Sequence, residues 1–270
     1  MKEMIQSSSN KTIKHIKALQ LKKHRDEYGS FVIEGEKLLQ EAIDYKADIS
    51  MVLCSQSFAA GKGNDEIIRL LEASGTPVYY AEDRIFKEAC ETDSPQGVIA
   101  VAAKLEYKLS DILDKDELCL VLLSEIRDPG NAGTIIRTAD ACGLDAVLLS
   151  SGSVDIYNGK TIRSTMGSLF HIPVLQGLDM KTVLGGLKKS GVIAIGADPH
   201  SGTSCIDLPY YKKSAIMIGN ESQGIGSEIM GMLDTNVSIP MPGRAESLNA
   251  GIAASIMMYE LAVRKRLMRS

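Results

Sequence analysis

From residue 118 onward, short and nearly continuous apolar runs recur between segments of helical periodicity. The runs fall at 119–123, 145–150, 192–197, 214–218 and 236–239, and the helical segments at about 133–142, 158–168, 180–190, 226–233 and 249–266. A strand that is apolar at nearly every position has no solvent face, so it must be covered on both sides. Strands of that kind separated by helices predict a parallel sheet flanked by helices. The first hundred residues alternate as well. Apolar runs at 31–34, 51–53, 77–81 and 97–103, with helices near 36–45, 65–74 and 83–90, predict a smaller α/β unit. Between the two lies KLEYKLSDILDKDE at 104–117, charged and without a strand pattern. The expected division is therefore a domain at 1–104, a linker at 105–117 and a second α/β domain at 118–270.

Charge narrows the class of partner. The formal net charge is −4, yet the first 25 residues carry Lys2, Lys11, Lys14, Lys17, Lys22, Lys23 and Arg25 against the single acid Glu3. Residues 10–26 read as one basic helix with Ser9 or Asn10 as N-cap and Ile13, Ile16 and Leu19 on its apolar side. Such an arm is either a solvated helix face or a surface for an anionic partner such as nucleic acid. On the second reading Lys14, Lys17, Lys22, Lys23 and Arg25 are the candidate contacts. Arg264, Lys265, Arg266 and Arg269 add charge at the other end.

The five cysteines, Cys54, Cys90, Cys119, Cys142 and Cys205, are odd in number and form no CxxC, which points to free thiols in a reducing compartment. Cys119 sits among apolar residues and reads as buried. MKEMIQSSSN lacks the apolar core of a signal peptide, and the apolar stretch 250–263 is too short to span a bilayer and is broken by Glu260. The expectation is a cytoplasmic protein without a membrane segment. The four histidines show no metal-ligand spacing, and His171, between Phe170 and Ile172, reads as a core or interface residue.

Three loops carry the polar chemistry. IGNESQGIG at 218–226 leaves an apolar strand, and IPMPGRAESLNAG at 239–251 ends where a helix starts, with Ser247 and Asn249 as N-cap types. Glycine-rich turns facing a helix start can hold a polar ligand through main-chain groups. Ala250, Gly251, Ala253, Ala254 and Ser255 suit a helix that another backbone approaches closely. The third loop, LLSEIRDPGNAGTIIRTADACG from Leu122 to Gly143, has turn chemistry at Asp128-Pro129-Gly130, with Asn131 as a possible cap. Arg137 follows nearly two turns later, as either an exposed helix charge or a clamp for an oxyanion. Glu221 is either a helix-capping loop carboxylate or a site residue. No G-x-G-x-x-G follows a strand, which argues against a nicotinamide dehydrogenase, and no G-x-x-x-x-G-K-[ST] is present for a P-loop enzyme.

Asn131 with Arg137, GNESQG at 219–224 and IPMPGRAESLNAG at 239–251 resemble, in order and spacing, the three signature motifs of the SpoU/TrmH branch of SPOUT RNA methyltransferases. The resemblance covers about 118–270. SSSN at 7–10, FVIEGEKLLQEA at 31–42 and SPQGVIAV at 94–101 resemble the small RNA-binding α/β domain that precedes many of these enzymes. The resemblance implies a deep trefoil knot, a homodimer, and transfer of methyl from S-adenosylmethionine to a ribose 2′-hydroxyl of RNA. It implies a cofactor site around Ile218, Gly219, Ile239, Met241 and Leu248, no metal, and a catalytic group of Arg137 with Asn131, Glu221, Ser247 and Asn249. A guanidinium stays protonated to well above about pH 12, so Arg137 fits a charge clamp better than a base. Ribosomal RNA is the expected substrate. A transfer RNA methylase, or a non-catalytic RNA-binding assembly factor on the same fold, are the alternatives.

Overall fold

A computed structural model describes residues 4–61, 64–264 and 267. The chain divides into two compact units, 1–105 with 157–170, and 106–156 with 171–270.

The first unit runs β1 (Met4–Ile5), α1 (Lys11–Ala18), α2 (Lys22–Tyr28), β2 (Ser30–Glu34), α3 (Glu36–Asp44), β3 (Ile49–Ser55), α4 (Gln56–Ala59), α5 (Asn64–Ala73), β4 (Val78–Ala81), α6 (Asp83–Ala89) and β5 (Val98–Ala103). Its sheet has the order β1-β4-β3-β5-β2, parallel from β1 through β3 and antiparallel at β5 and β2. Ile13, Ile16 and Leu19 pack with Leu53, Ile85, Phe86 and Ile99 in its core. Two of the stretches singled out above meet at one corner. Gly35 (φ +108°) precedes α3, a Cβ there would lie 2.7 Å from Oε1 of Gln96, and that same oxygen accepts from the Glu36 amide. The glycine is thus required both by its backbone and by the side chain that takes its space.

The basic stretch at 10–26 is two helices. Asn10 caps α1 through the Thr12 amide, and the chain then turns at Leu19–Leu21 before α2 begins. Arg25 explains the corner. It is buried, and its guanidinium donates to the carbonyls of Leu19 and Gln20 at 2.8 and 2.7 Å. Those carbonyls lie at and just past the end of α1, where no further turn supplies an N–H to donate to them, so a buried cation satisfies them. Arg25 is accordingly a corner post and not a surface contact, which corrects its assignment to the RNA-binding face.

The second unit runs α7 (Leu109–Leu113), β6 (Leu118–Leu123), α8 (Pro129–Ala141), β7 (Ala146–Ser150), β8 (Val174–Leu178), α10 (Met180–Lys189), β9 (Ile193–Ala197), β10 (Lys213–Ile218), α11 (Ser227–Met230), β11 (Thr235–Val237) and α12 (Ala250–Met258), the last continued by a π-helical stretch Tyr259–Arg264. The end of the helix expected to reach Arg266 lies outside the described residues. The six strands are all parallel, in the order β11-β9-β10-β6-β7-β8. Leu118, Leu120 and Leu122 pack on one face with Met180, Val183, Leu184 and Leu187 of α10 and Ile112 of α7. α8 and α12 pack on each other and reach β7 and β10. Both faces of the sheet are therefore covered, as continuous apolar strands require.

Three departures have local causes. β8 is an edge strand broken by Gly177 (φ +74°), so VLQGL shows no clean period. The span 105–117 contains α7, whose Ile112 is buried. The segment with α9 (Gly159–Thr165) belongs to the first unit, not the second, because the Tyr157 ring packs at a tilt against Phe31 with centroids 4.7 Å apart and its hydroxyl bonds the backbone of Leu105.

Candidate functional site

In parallel sheets, ligands bind beyond the carboxyl ends of the strands, where loops leave room between helix starts. Here the loops after β9, β10 and β11 surround a cavity of about 460 Å³. Ile218, Gly219, Ile239, Met241 and Leu248 all line it, with Glu221 and Ser247 at its polar side. Apolar side chains alternating with exposed main chain suit a flat heteroaromatic ligand with a polar tail.

Gly219 is dictated by packing. A Cβ there would stand 2.2 Å from the carbonyl carbon of Gly224 and 2.3 Å from the Ile225 nitrogen. The loop folds back on itself through paired bonds between Asn220 and Gly224, at 3.0 and 2.9 Å, with Gly224 at φ +66°. The Asn220 side chain holds the turn. Its Oδ1 accepts from the amides of Ser222 and Gln223, and its Nδ2 donates to the Glu125 carbonyl at 2.9 Å. Glu125, at φ +54°, belongs to the loop after β6, so one asparagine ties two site loops together. Asparagine tolerates such turns and bonds its local backbone, which is the signal that could have identified it within GNESQG.

α8 starts earlier than its apolar period indicates. Pro129 is its first residue and Asp128 its N-cap, the carboxylate accepting from the Asn131 amide at 2.8 Å. Asn131 therefore does not cap the helix. Its side chain is buried in the first turn and free for other work. Asn249 does cap α12, with Oδ1 accepting from Gly251 and Ile252. Those two backbone donors fix the amide orientation, so Nδ2 points at Asn131. It donates to Oδ1 of Asn131 at 2.9 Å, and Nδ2 of Asn131 donates to Oε1 of Glu221 at 2.9 Å. The relay Asn249–Asn131–Glu221 has one consistent direction and ends on a carboxylate in the cavity.

Close approach of α12 to α8 makes this possible. A Cβ on Gly251 would lie 3.4 Å from Oδ1 of Asn131 and 3.5 Å from Thr134, and Ser255 and Thr138 share a hydroxyl bond of 3.0 Å.

Of the remaining candidates, Ser247 lines the cavity but is exposed and does not cap α12. Arg137 is exposed on α8, does not line the cavity, and makes no hydrogen bond or ion pair among the described residues. In the other unit Lys14, Lys17, Lys22 and Lys23 are exposed. Asp198, Pro199 and His200 also line the cavity. They follow β9 directly, and the rule for strand carboxyl ends would have pointed to them. Among the described residues no cluster of His, Cys, Asp and Glu could hold a metal ion, and no helix is long and apolar enough to cross a membrane. His171 is half-buried and bonds Asp140 at 2.8 Å.

Residues 118–259 match the SpoU rRNA Methylase family, and residues 10–100 match the MRM3-like substrate binding domain. The chain is 36% identical over 259 residues to the 23S rRNA (guanosine(2553)-2′-O)-methyltransferase RlmP of Bacillus subtilis, covering 96% of this chain and 99% of that one. It is similar to the crystal structure of an AdoMet-bound rRNA methyltransferase from Sinorhizobium meliloti, at 31% identity and a TM-score of 0.86, with 96% of each chain covered. It also resembles the AdoMet complex of the SpoU methyltransferase AviRb from Streptomyces viridochromogenes, at 27% identity and a TM-score of 0.85, with 96% and 100% covered.

Proposed function

The chain belongs to the SpoU rRNA Methylase family, and on that premise we propose that it transfers a methyl group from S-adenosylmethionine to a ribose 2′-hydroxyl of ribosomal RNA, with 23S rRNA as the substrate. The observation that carries the reading is the relay from Asn249 through Asn131 to Glu221 at the edge of the cavity. A fold retained only to bind RNA has no use for a buried asparagine aimed at a carboxylate, and this disfavours a non-catalytic assembly factor.

The cavity residues fit the cofactor. Ile218, Ile239, Met241 and Leu248 supply apolar walls, and Gly219 keeps the floor at main-chain thickness. When bound, the cofactor supplies an electrophilic methyl group. The chain's own residues do the rest. Glu221, oriented through Asn131, accepts the proton of the attacking hydroxyl, and Asn249 and Ser247 hold the geometry. Arg137 clamps the neighbouring phosphate or the developing alkoxide through its planar fork. Because Arg137 stands outside the cavity of its own chain, bound RNA or a second copy has to bring the clamp and the carboxylate together.

We extend the reading to a homodimer. Ile252, Ile256 and Tyr259 are 52%, 39% and 57% exposed and follow each other at helical spacing along α12 and its continuation. An apolar stripe on one helix face supports self-association. A trefoil knot in the C-terminal segment and a cytoplasmic location belong to the same reading. Labelled S-adenosylmethionine, offered with ribosomal RNA from a strain lacking this protein, tests it. Label is expected on one ribose 2′-oxygen of 23S rRNA and is expected to vanish with Arg137→Ala. Label in transfer RNA alone, or on a base, would overturn the substrate assignment.

A further inference from the structure

The first unit presents an aromatic platform among its lysines. Tyr28, at the end of α2, is 51% exposed although it is a large aromatic residue. Its ring is not loose. His15 of α1 meets it edge-on at 5.1 Å and 74°, and His24, one turn earlier on α2, stacks with it at 6.1 Å and 23°. The corner made by Arg25 holds the two helices so that these rings meet. Lys11, four residues before His15 and on the same helical face, is exposed, as are Lys14, Lys17, Lys22 and Lys23. Among the described residues Lys11, Lys14, Lys17 and Lys23 are in no ion pair. The acids on this face are engaged, since Glu27 bonds His24 at 3.0 Å and Asp26 pairs with Lys104.

A rigid, half-exposed ring braced by His15, with Lys11 on the His15 face of α1 and Lys14 and Lys17 continuing from Lys11 at i, i+3 spacing, is the combination that binds a single strand. The lysines follow the phosphates, and the ring offers a face to a base that has left its stack. We propose that Tyr28, braced by His15 and His24, stacks an unpaired base of the RNA substrate while Lys11, Lys14 and Lys17 take the adjoining phosphates. The inference rests on the RNA reading above and narrows it to a target that carries an unpaired nucleotide. Charge alone does not require this, because a duplex would satisfy the lysines equally well.

The test uses the full chain and a short single-stranded RNA carrying 2-aminopurine, whose fluorescence is quenched on stacking. Wild type is expected to quench it. Tyr28→Ala is expected to abolish the quenching and weaken binding about ten- to a hundredfold without changing the salt dependence. Tyr28→Phe keeps the ring and is expected to restore both. Lys14→Gln is expected to keep the quenching and to lower the salt slope by about 0.7. A duplex of the same sequence is expected to bind Tyr28→Ala and wild type alike. Unchanged quenching and affinity in Tyr28→Ala, or an equal loss on duplex and single strand, would overturn the proposal. Methyl transfer by wild type, measured in parallel, separates the two readings. Its absence counts against the methyltransferase, whereas transfer with no effect of Tyr28→Ala counts against the platform alone.

Discussion

On the proposed mechanism, Asn131 is the side chain on which the chemistry depends most. Its amide passes orientation from the α12 cap to Glu221 without itself lining the cavity. Asn131→Ala is therefore expected to lower kcat by about a hundredfold, the scale of a misplaced reacting group, while the affinity for S-adenosylmethionine stays within about twofold. Calorimetry and single-turnover transfer separate the two. A parallel loss of cofactor binding would mean that Asn131 supports the cavity and not the carboxylate. The thiols give a second expectation at this scale. Burial, with Glu34 adding to it, pushes the Cys90 thiol from an ordinary 9.0 up to about 12, and burial also raises Cys142. Cys54, Cys119 and Cys205 are buried. Native protein at pH 8 should therefore label slowly with iodoacetamide and react fully once unfolded. Because the folded state holds the Cys90 proton more tightly, that thiol favours folding fully below pH 9, and the contribution is lost as pH rises from 9 towards 12. Rapid labelling of Cys90 in the native state would contradict the burial described here.

At the scale of elements, the corner between α1 and α2 tests whether Arg25 acts on stability or on RNA. Arg25→Ala leaves one buried and one partly buried carbonyl without their donor and is expected to cost about 1–3 kcal/mol, read from urea unfolding. The salt slope of RNA binding should change much less than for Lys14→Gln. The reverse ranking would return Arg25 to the RNA-binding face. The sequence could not reveal this role, because a helical period fits 10–26 almost as well unbroken as broken at Leu19–Leu21. The apolar strands were legible to within a residue or two at most positions, since burial on both faces leaves no polar residue to blur their ends. β8 was not, because its glycine and its place at the sheet edge remove the apolar run.

For the whole molecule, the α12 stripe predicts the assembly. Ile256→Glu places a charge at the middle of the exposed apolar residues and is expected to shift sedimentation from dimer to monomer and to remove methyl transfer. Wild type sedimenting as a monomer at micromolar concentration would overturn the homodimer. Much of the candidate site was readable at this scale, because ligand loops in parallel sheets leave from strand ends, and GNESQG and IPMPGRAESLNAG occupy two of them. Asp198, Pro199 and His200 occupy a third and were missed, since ADPH carries no motif of its own.

By itself the sequence determined the parallel sheet, the loops at its carboxyl edge and the residue types able to bind and orient, because these follow from hydrophobic period, turn chemistry and side-chain identity. Only the tertiary structure decided which of these groups meet. It gave the cap of α8 to Asp128, joined Asn131 to Asn249 and Glu221 across separations of 118 and 90 residues, and turned Arg25 inward. Each outcome depends on a contact between segments far apart in the chain. No local pattern encodes the packing of α12 on α8 that brings them together.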